Sequence, residues 1–188
     1  MIKSKEDLKQ YLEEDRLALG KTMDDHPKLF GDEIWKFEIY LRKCEYYSMR
    51  QKTVWGGVIG LYYRFQLHRL SFKLGYSIPL NVVGPGLSLP HRGTIVINSH
   101  ASIGENCRIH VDVNIGATGG STEAPFIGSN CYIGPGAKLV GNISIADNVI
   151  IGANAVVVKS INEPGTTWAG VPAKKISDKG AHHGLMLI

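Results

Sequence analysis

Aliphatic side chains recur at every sixth position through the second half of the chain. From Ile103 to Val157 the series is interrupted once, at Ser121. Helices repeat about every 3.6 residues and strands alternate from one residue to the next, so neither element alone produces a period of six. Each unit is therefore expected to be a short strand and a turn, with its aliphatic residue facing inwards. The positions in the series are 103, 109, 115, 121, 127, 133, 139, 145, 151 and 157.

The six-residue units share more than their first position. Units such as Ile133–Lys138 and Ile151–Val156 have a small second residue and a small or aliphatic fifth residue. Such repeats are typical of parallel β-helices, in which three strands make one coil and stacked coils bury an aliphatic core that no single repeat could bury. Glycine is abundant, with 16 of its 22 copies beyond residue 83, where tight corners need them. A mainly β protein is predicted.

Residues 1–75 follow a helical pattern instead. No proline occurs between residues 28 and 78, and a capping-box-like start at Ser4–Asp7 precedes the first apolar period. Three helices are expected, to about residue 18, over roughly 32–50 and over roughly 54–73. We therefore expect an N-terminal helical region over 1–75, the β-helix domain over 76–176 and a C-terminal tail over 177–188.

The third predicted helix is amphipathic and basic. Residues 34–75 hold eight Lys or Arg against two acids. Two interpretations remain open: the helix packs on its neighbours with solvated charges outside, or residues 54–74 make a peripheral contact with anionic lipid or a lipid-linked substrate. The residues on the apolar face are Val54, Val58, Leu61 and Phe65.

Composition narrows the classes of partner, cellular location and cysteine chemistry that the chain can have. The formal net charge of +4 is modest, and no nucleic-acid partner is expected. No run of 18 apolar residues and no leader peptide appears, so a cytoplasmic protein is expected. The chain has 3 cysteines without metal-type spacing, and Cys107 and Cys131 fall on the inward fifth position, which favours buried thiols over disulfides or a metal site.

His91 is the candidate residue for chemistry. It takes the third, outward position of its unit beside Gly93, and histidine is well suited to proton transfer near neutral pH. The earlier aliphatic series at 83, 89 and 95 is offset by two residues from the later one, which predicts irregular early coils. A lone exposed histidine usually has no function, so its surroundings decide the assignment.

Three stretches resemble the hexapeptide-repeat acyltransferases, and within them the serine acetyltransferases, across residues 74–176. Gly84–His91 resembles the stretch with the general-base histidine, Ile115–Gly120 the glycine-rich loop at the acetyl-CoA site, and Ala169–Lys174 the closing sequence after the last coil. The resemblance implies a left-handed β-helix and an acetyl-CoA-dependent O-acetyltransferase without a metal. It also implies a homotrimer with coenzyme A between adjacent β-helices, paired in some members into a dimer of trimers through the N-terminal helices.

The resemblance also assigns roles to individual residues. His91 would take the proton of an acceptor hydroxyl as its oxygen attacks the thioester. The glycine-rich loop and two later turns would line the pantetheine arm, and two lysines would meet the phosphates unless they belong to a solvated tail. These donor-site residues are Gly116, Ala117, Thr118, Gly119, Gly134, Gly136, Gly152, Ala153, Lys174 and Lys175.

The chain departs from the serine acetyltransferase pattern around the acceptor. Tyr76 stands where an aspartate orients the histidine, and either Asp112 or a backbone carbonyl could replace it. Pro90 replaces another aspartate, while Glu123 and Ala124 approximately replace an arginine and a histidine that help to bind serine. Several charge-assisted hydrogen bonds, each on the order of 1.5–3 kcal/mol, would be missing. A sugar hydroxyl of a surface polysaccharide is therefore favoured narrowly over serine.

Three alternatives stay open. A genuine serine O-acetyltransferase of cysteine synthesis is favoured by the terminal Ile188, since such enzymes contact cysteine synthase through a terminal isoleucine. A zinc carbonic anhydrase would use His91, His100 and His110, although their spacings of nine and ten residues do not stack them on one wall. A non-catalytic trimerisation module would retain its function without the imidazole of His91.

Overall fold

Helices precede strands along the chain in the computed structural model, which describes residues 1–48 and 54–181. The helices are α1 (Lys5–Ala18), α2 (Glu33–Ser48) and α3 (Val54–Leu74). The strands are β1 (Tyr76–Ser77), β2 (Ile95–Ile97), β3 (Ser102–Ile103), β4 (Arg108–Ile109), β5 (Val113–Gly116), β6 (Phe126–Ile127), β7 (Tyr132–Ile133), β8 (Lys138–Val140), β9 (Ser144–Ile145), β10 (Ile150–Ile151), β11 (Val156–Val157), β12 (Thr167–Ala169) and β13 (Lys174–Ser177).

Local signals in the sequence fix the helical region. The predicted capping box is present: Asp7 N–H donates to Ser4 Oγ, and Ser4 N–H donates to the Asp7 carboxylate, each at 2.9 Å. Helices α2 and α3 pack together at Gly60, where an added Cβ atom would lie 3.4 Å from Tyr47 Cβ, and the ring of Tyr47 stacks on Tyr63 at 5.5 Å. Within the described residues, no helix combines the length and the apolar character needed to cross a bilayer.

The strands form the three walls of a parallel β-helix. One sheet runs β1-β2-β5-β8-β11, the second β13-β12-β10-β7-β4 and the third β3-β6-β9. Pairing is parallel throughout except between β12 and β13. Ile127 pairs with Ile145 and Ile133 with Ile151, so each regular coil consists of three six-residue units. The predicted parallel β-helix is confirmed.

The core is the aliphatic series itself. Each first-position side chain is 3% exposed or less, and each fifth-position side chain is 6% exposed or less. Burial of this continuous stack is the main favourable contribution to the fold, because the stabilisation of a folded protein grows roughly in proportion to the apolar surface area removed from water. The first-position residues are Ile103, Ile109, Ile115, Ile127, Ile133, Leu139, Ile145, Ile151 and Val157, and the fifth-position residues are Cys107, Val113, Cys131, Ala137, Ile143, Val149 and Ala155.

The interruption at Ser121 is an extruded unit. Ile103 pairs with Ile127 and Ile109 with Ile133, so this coil holds four six-residue units instead of three. Residues 118–123, which equal one unit in length, all lie exposed outside the wall. The period of six survives the excursion because a whole unit has left the wall.

The early coils are longer, as the two-residue offset predicts. Ser88 bridges to Arg108, whereas Ile95 pairs with Val113. The corner between Ser88 and Ile95 is therefore two residues longer than the corner stacked on it, and this longer corner contains His91.

Candidate active site

The backbone around His91 is tied on both sides of the corner. Ser88 N–H donates to the carbonyl of Cys107 at 3.0 Å, and Gly93 N–H donates to the carbonyl of Leu74 at the end of α3, also at 3.0 Å. The hydroxyl of Tyr76 donates to the backbone carbonyl of His91 at 2.7 Å. The His91 side chain is exposed, so a fixed backbone presents an imidazole to solvent.

Tyr76 thus occupies the position of the expected carboxylate and performs a different task. Its ring is buried, and burial raises the pKa of the phenol, with a further contribution from Glu38. The phenol therefore keeps its proton at neutral pH and remains a hydrogen-bond donor. Tyr76 positions the main chain of His91, whereas a carboxylate would accept a hydrogen bond from the imidazole ring and stabilise its protonated form.

A cluster of buried charged side chains connects helices α1 and α2 to the first coil, next to this corner. Arg42 is fully buried and donates to Asp15 at 2.7 Å and to Glu45 at 3.2 Å. The same guanidinium donates to two carbonyls of the first coil, Val83 at 2.8 Å and Gly84 at 2.6 Å. Burial opposes its charge, but the two carboxylates outweigh burial and raise the pKa of Arg42.

The carboxylates of the cluster also hold the strand-like segment before His91. Leu87 N–H donates to Asp15 at 2.8 Å, and Leu89 N–H donates to Glu38 at 3.2 Å. Burial, followed by the nearby charge of Asp15, raises the pKa of Glu38 well above its ordinary value. Helices α1 and α2 therefore fix the segment two residues before the imidazole. Sequence reasoning missed these residues because charges on amphipathic helices normally face water.

His110 is the second histidine of the site. The sequence analysis named it with His91 only in the zinc alternative and judged from the spacings that the histidines would not stack. The two rings lie 5.9 Å apart between centroids, and His110 also lies 4.9 Å from the ring of Tyr132. Its Nε2 atom is buried and has no hydrogen-bond partner among the described residues. The distance along the chain from His91 to His110 is close to one early coil, and this spacing was the signal that could have found the pair.

The environment keeps His110 neutral. Burial first, then the charges of Arg108 and His91, lower its pKa to about 4. A neutral imidazole beside His91 can share a proton or accept a hydrogen bond without adding positive charge to the site.

The depressed pKa makes His110 a source of pH-dependent stability. The unfolded chain protonates this histidine below about pH 6.5, whereas the folded protein resists protonation down to about 4. The contribution to stability is therefore present above the unfolded pKa and is lost as the pH falls from about 6.5 towards about 4. Urea unfolding at several pH values should show a smaller loss for His110→Gln than for the unsubstituted protein. Parallel curves would contradict the assignment, and His100→Gln, an exposed histidine, is the matched control.

A cavity of about 510 Å³ opens between the helical region and the His91 corner. His91, Arg92, Trp35 and the buried Arg108 are among the residues that line it. Arg108 Nη1 lies 3.4 Å from Ser88 Oγ. The cavity brings a candidate base and a buried guanidinium to one small-molecule-sized space. Its lining residues are Leu19, Lys21, Asp32, Glu33, Ile34, Trp35, Lys73, Leu74, Ser88, Leu89, Pro90, His91, Arg92 and Arg108.

The predicted donor-site residues lie along later turns, and several have a packing role. A Cβ atom on Gly134 would meet the carbonyl oxygen of Ile151 at 2.7 Å, and Gly136 has a φ of +76°, so the stacked coils already require glycine at both positions. Gly119 faces open space instead. Gly116 ends β5 and Ala117 follows it, both half-buried, before the exposed excursion begins at Thr118. Gly152 and Ala153 form the turn after β10, with Gly152 against Ala169.

Of three other candidate residues, Asp112 and Lys175 form ion pairs of their own. Asp112 Oδ1 lies 3.1 Å from Lys138 Nζ on the following coil. Lys175 pairs with Glu163 and with Asp178, whereas Lys174 is exposed beside it on β13. The structure thus brings His91 together with His110 and Arg108, and it ties Asp112 to a lysine.

The structure brings together only two of the three histidines that the alternative zinc site would need. His91 and His110 come together, but His100 N–H donates to the side chain of Asn98 at 2.9 Å on an exposed turn. In the part of the chain that the structure describes, no group of three or more His, Cys, Asp or Glu residues is placed to hold a metal ion.

Comparison with known proteins shows where the similarity lies. The family model for the bacterial transferase hexapeptide (six repeats) matches residues 124–159. A serine acetyltransferase of Staphylococcus epidermidis is 38% identical over 104 residues, which are 54% of this chain and 48% of the relative. A serine acetyltransferase of Buchnera aphidicola is 40% identical over 101 residues, 52% of this chain and 38% of the relative. The chain spans about half the length of these curated relatives, or less.

Solved structures extend the similarity to the whole fold. Serine acetyltransferase of Neisseria gonorrhoeae superposes with a TM-score of 0.69 and 27% identity, covering 95% of this chain and 68% of that one. Serine acetyltransferase of Brucella abortus in complex with coenzyme A gives a TM-score of 0.67 and 25% identity, covering 94% and 70%. These matches confirm that the chain resembles the hexapeptide-repeat acyltransferases, and within them the serine acetyltransferases.

Proposed function

We propose that the protein is an acetyl-CoA-dependent O-acetyltransferase in which His91 is the general base. The observation that carries this proposal is the His91 corner, where a fixed backbone presents an imidazole to a cavity of about 510 Å³. The Brucella abortus enzyme, which was solved in complex with coenzyme A and is 25% identical, supports the donor class.

Proton chemistry explains why a histidine is needed. An alcohol is a poor nucleophile at neutral pH, so His91 accepts the hydroxyl proton while the oxygen forms a bond to the thioester carbonyl carbon. When the tetrahedral intermediate collapses, the carbon–sulfur bond breaks and the imidazolium returns its proton to the thiolate of coenzyme A. Neutral His110 lies beside His91 and does not add a second charge that would oppose formation of the imidazolium.

The proposed donor groove follows the resemblance. The pantetheine arm would pass Gly116 at the end of β5 and the turn at Gly152, with Ala117, Thr118, Gly119, Gly134, Gly136 and Ala153 beside it. Lys174 would meet the phosphates. Lys175 would do so after exchanging its acidic partners, Glu163 and Asp178.

Serine takes first place as the acceptor, which corrects the narrow preference for sugar. The relatives and structures compared above are serine acetyltransferases. The cavity also supplies a positive charge, in place of the arginine that the sequence departures had removed. Arg108 in its wall can bind a carboxylate, and an arginine–carboxylate pair is a strong, oriented contact.

A sugar hydroxyl remains the second candidate for one reason. Tyr76 and Pro90 replace two carboxylates around the histidine, and Tyr76 is committed to the backbone of His91. An acceptor without an ammonium group would not need those carboxylates.

The assembly is part of the proposal. Residues 76–176 would form a left-handed β-helix that associates as a homotrimer, because the proposed donor groove lies between adjacent β-helices. Residues 1–75 would position the His91 corner and could pair two trimers. The terminal Ile188, the candidate contact for cysteine synthase, lies outside the described residues.

A thiol-release assay with acetyl-CoA tests the reaction and the acceptor together. We expect release with L-serine, and none with L-alanine, which lacks the hydroxyl but keeps both charged groups. A parallel panel of sugars and nucleotide sugars tests the second candidate. Release with sugars alone would replace serine by sugar, and release with no acceptor in the panel would contradict the proposal for small acceptors.

A further inference from the structure

Helix α3 carries an uncovered apolar stripe. Val58, Leu61, Phe65 and Phe72 are between 59% and 78% exposed, and Tyr62 beside them is 52% exposed. The sequence analysis placed Val58, Leu61 and Phe65 on an apolar face that could pack on neighbouring elements. The structure leaves these three side chains in solvent; the side chain of Val54 lies outside the described residues.

The stripe is distinct from the face that holds α3 in the fold. At about 3.6 residues per turn, positions 58, 61, 65 and 72 fall on one side of the helix, and positions 60, 63, 70 and 74 fall on the opposite side. Leu70 and Leu74 are buried in the core, and Gly60 lies against Tyr47 on α2. Helix α3 thus satisfies its packing with one face and exposes a second apolar face.

Positive charge flanks the stripe. Arg64 and Arg69 are exposed on either side of it, and α3 contains no acidic residue. Lys73, near the end of the helix, is paired with Glu33 of α2 at 2.8 Å. The two acids of residues 34–75, Glu38 and Glu45, are buried in the cluster around Arg42 and cannot neutralise this surface. An exposed apolar stripe flanked by two arginines can place its apolar side chains at the hydrocarbon boundary of a bilayer while the arginines meet anionic headgroups.

The geometry points to an anionic lipid bilayer as the partner of this stripe, with α3 lying on the membrane surface and Phe65 and Phe72 inserted among the acyl chains. A second copy of the chain fits less well. Pairing two α3 faces would bring Arg64 and Arg69 of one copy near those of the other, without an acid on α3 to compensate. Anionic headgroups complement these charges and hydrocarbon covers the aromatic side chains. This inference concerns where the protein works and does not depend on the acetyl acceptor.

Vesicle flotation of the full chain tests the inference. Vesicles of phosphatidylcholine alone are compared with vesicles in which part of the phosphatidylcholine is replaced by phosphatidylglycerol. We expect binding to the anionic vesicles, and weakening in about 0.5 M salt, where the Debye length shrinks to a few ångströms. Arg64→Gln with Arg69→Gln should weaken binding roughly 25-fold, because each basic residue near an anionic surface contributes about fivefold. Phe65→Ser with Phe72→Ser should weaken it about tenfold or more.

Matched variants separate this surface from general charge and hydrophobicity. Lys5→Gln with Lys9→Gln removes two exposed cations from α1, and Val158→Ser removes an exposed apolar residue from the β-helix; both should bind like the unsubstituted protein. The inference is overturned if anionic vesicles fail to bind the protein or if the α3 variants bind them equally well. It is also overturned if the α3 variants instead reduce the assembly size in sedimentation velocity, since that result makes the stripe a protein interface. Thiol release is measured alongside, so a failed membrane inference remains distinct from a failed enzymatic one.

Discussion

Replacing Arg42 with leucine is expected to lower the free energy of unfolding by about 3–5 kcal/mol, the usual cost of removing one partner from a buried charged cluster. The substitution leaves the carboxylates of Asp15 and Glu45 buried without their cation. It also removes the donors to the carbonyls of Val83 and Gly84. Urea denaturation measures the change: a lower midpoint with an unchanged m-value reports a loss of stability of the folded state.

Two comparisons sharpen this result. Arg69→Leu removes an exposed arginine from α3 and should change stability by no more than about 0.5 kcal/mol. Arg42→Lys keeps the charge but lacks the planar fork that reaches several partners, so its loss should lie between the other two. A loss below about 1 kcal/mol for Arg42→Leu would mean that the cluster relaxes or admits water, contrary to its full burial.

Replacing His91 with alanine is expected to lower kcat for acetyl transfer by at least about 10²-fold, which is the lower range for loss of a general base. The donor groove proposed above uses other residues, so affinity for coenzyme A should stay within about twofold. Steady-state thiol release gives the rate, and calorimetric titration with coenzyme A gives the affinity. A loss of rate with preserved donor binding would place the defect in proton transfer.

The matched control is His26→Ala, which removes an exposed histidine from the segment between α1 and α2 and should leave the rate unchanged. Near-normal turnover of His91→Ala would remove the general-base assignment. If no reaction depended on His91, the non-catalytic trimerisation module would become the better interpretation.

The β-helix was predictable because its signal is repetitive. A side chain at every sixth position must face the same core, and the nine aliphatic residues of the series are all buried. The helices were predictable from capping and from the absence of proline, and the capping box at Ser4 formed as expected. Even the irregular corner at His91 had a signal, since the aliphatic series shifts by two residues there.

The surroundings of His91 were less predictable because they depend on distant parts of the chain. Asp15, Glu38 and Arg42 look like surface charges on amphipathic helices, and only the docking of those helices on the first coil buries them. His110 follows His91 by one early coil; the spacing is visible in the sequence, but the strand pairing is what establishes the length of that coil. The exposed face of α3 was equally hidden, since an apolar stripe does not reveal whether a partner element covers it.

The extruded unit at residues 118–123 makes the register of the coils independent of the length of the excursion. Strand pairing resumes at Phe126 opposite Ser102, whatever path the chain takes outside the wall. Lengthening such an excursion costs only the slowly growing entropy of loop closure, about 0.6 kcal/mol for each doubling of length. The rim of the proposed donor groove can therefore be remodelled by insertion or deletion at this point while the stack of coils keeps its register and its folding is unaffected.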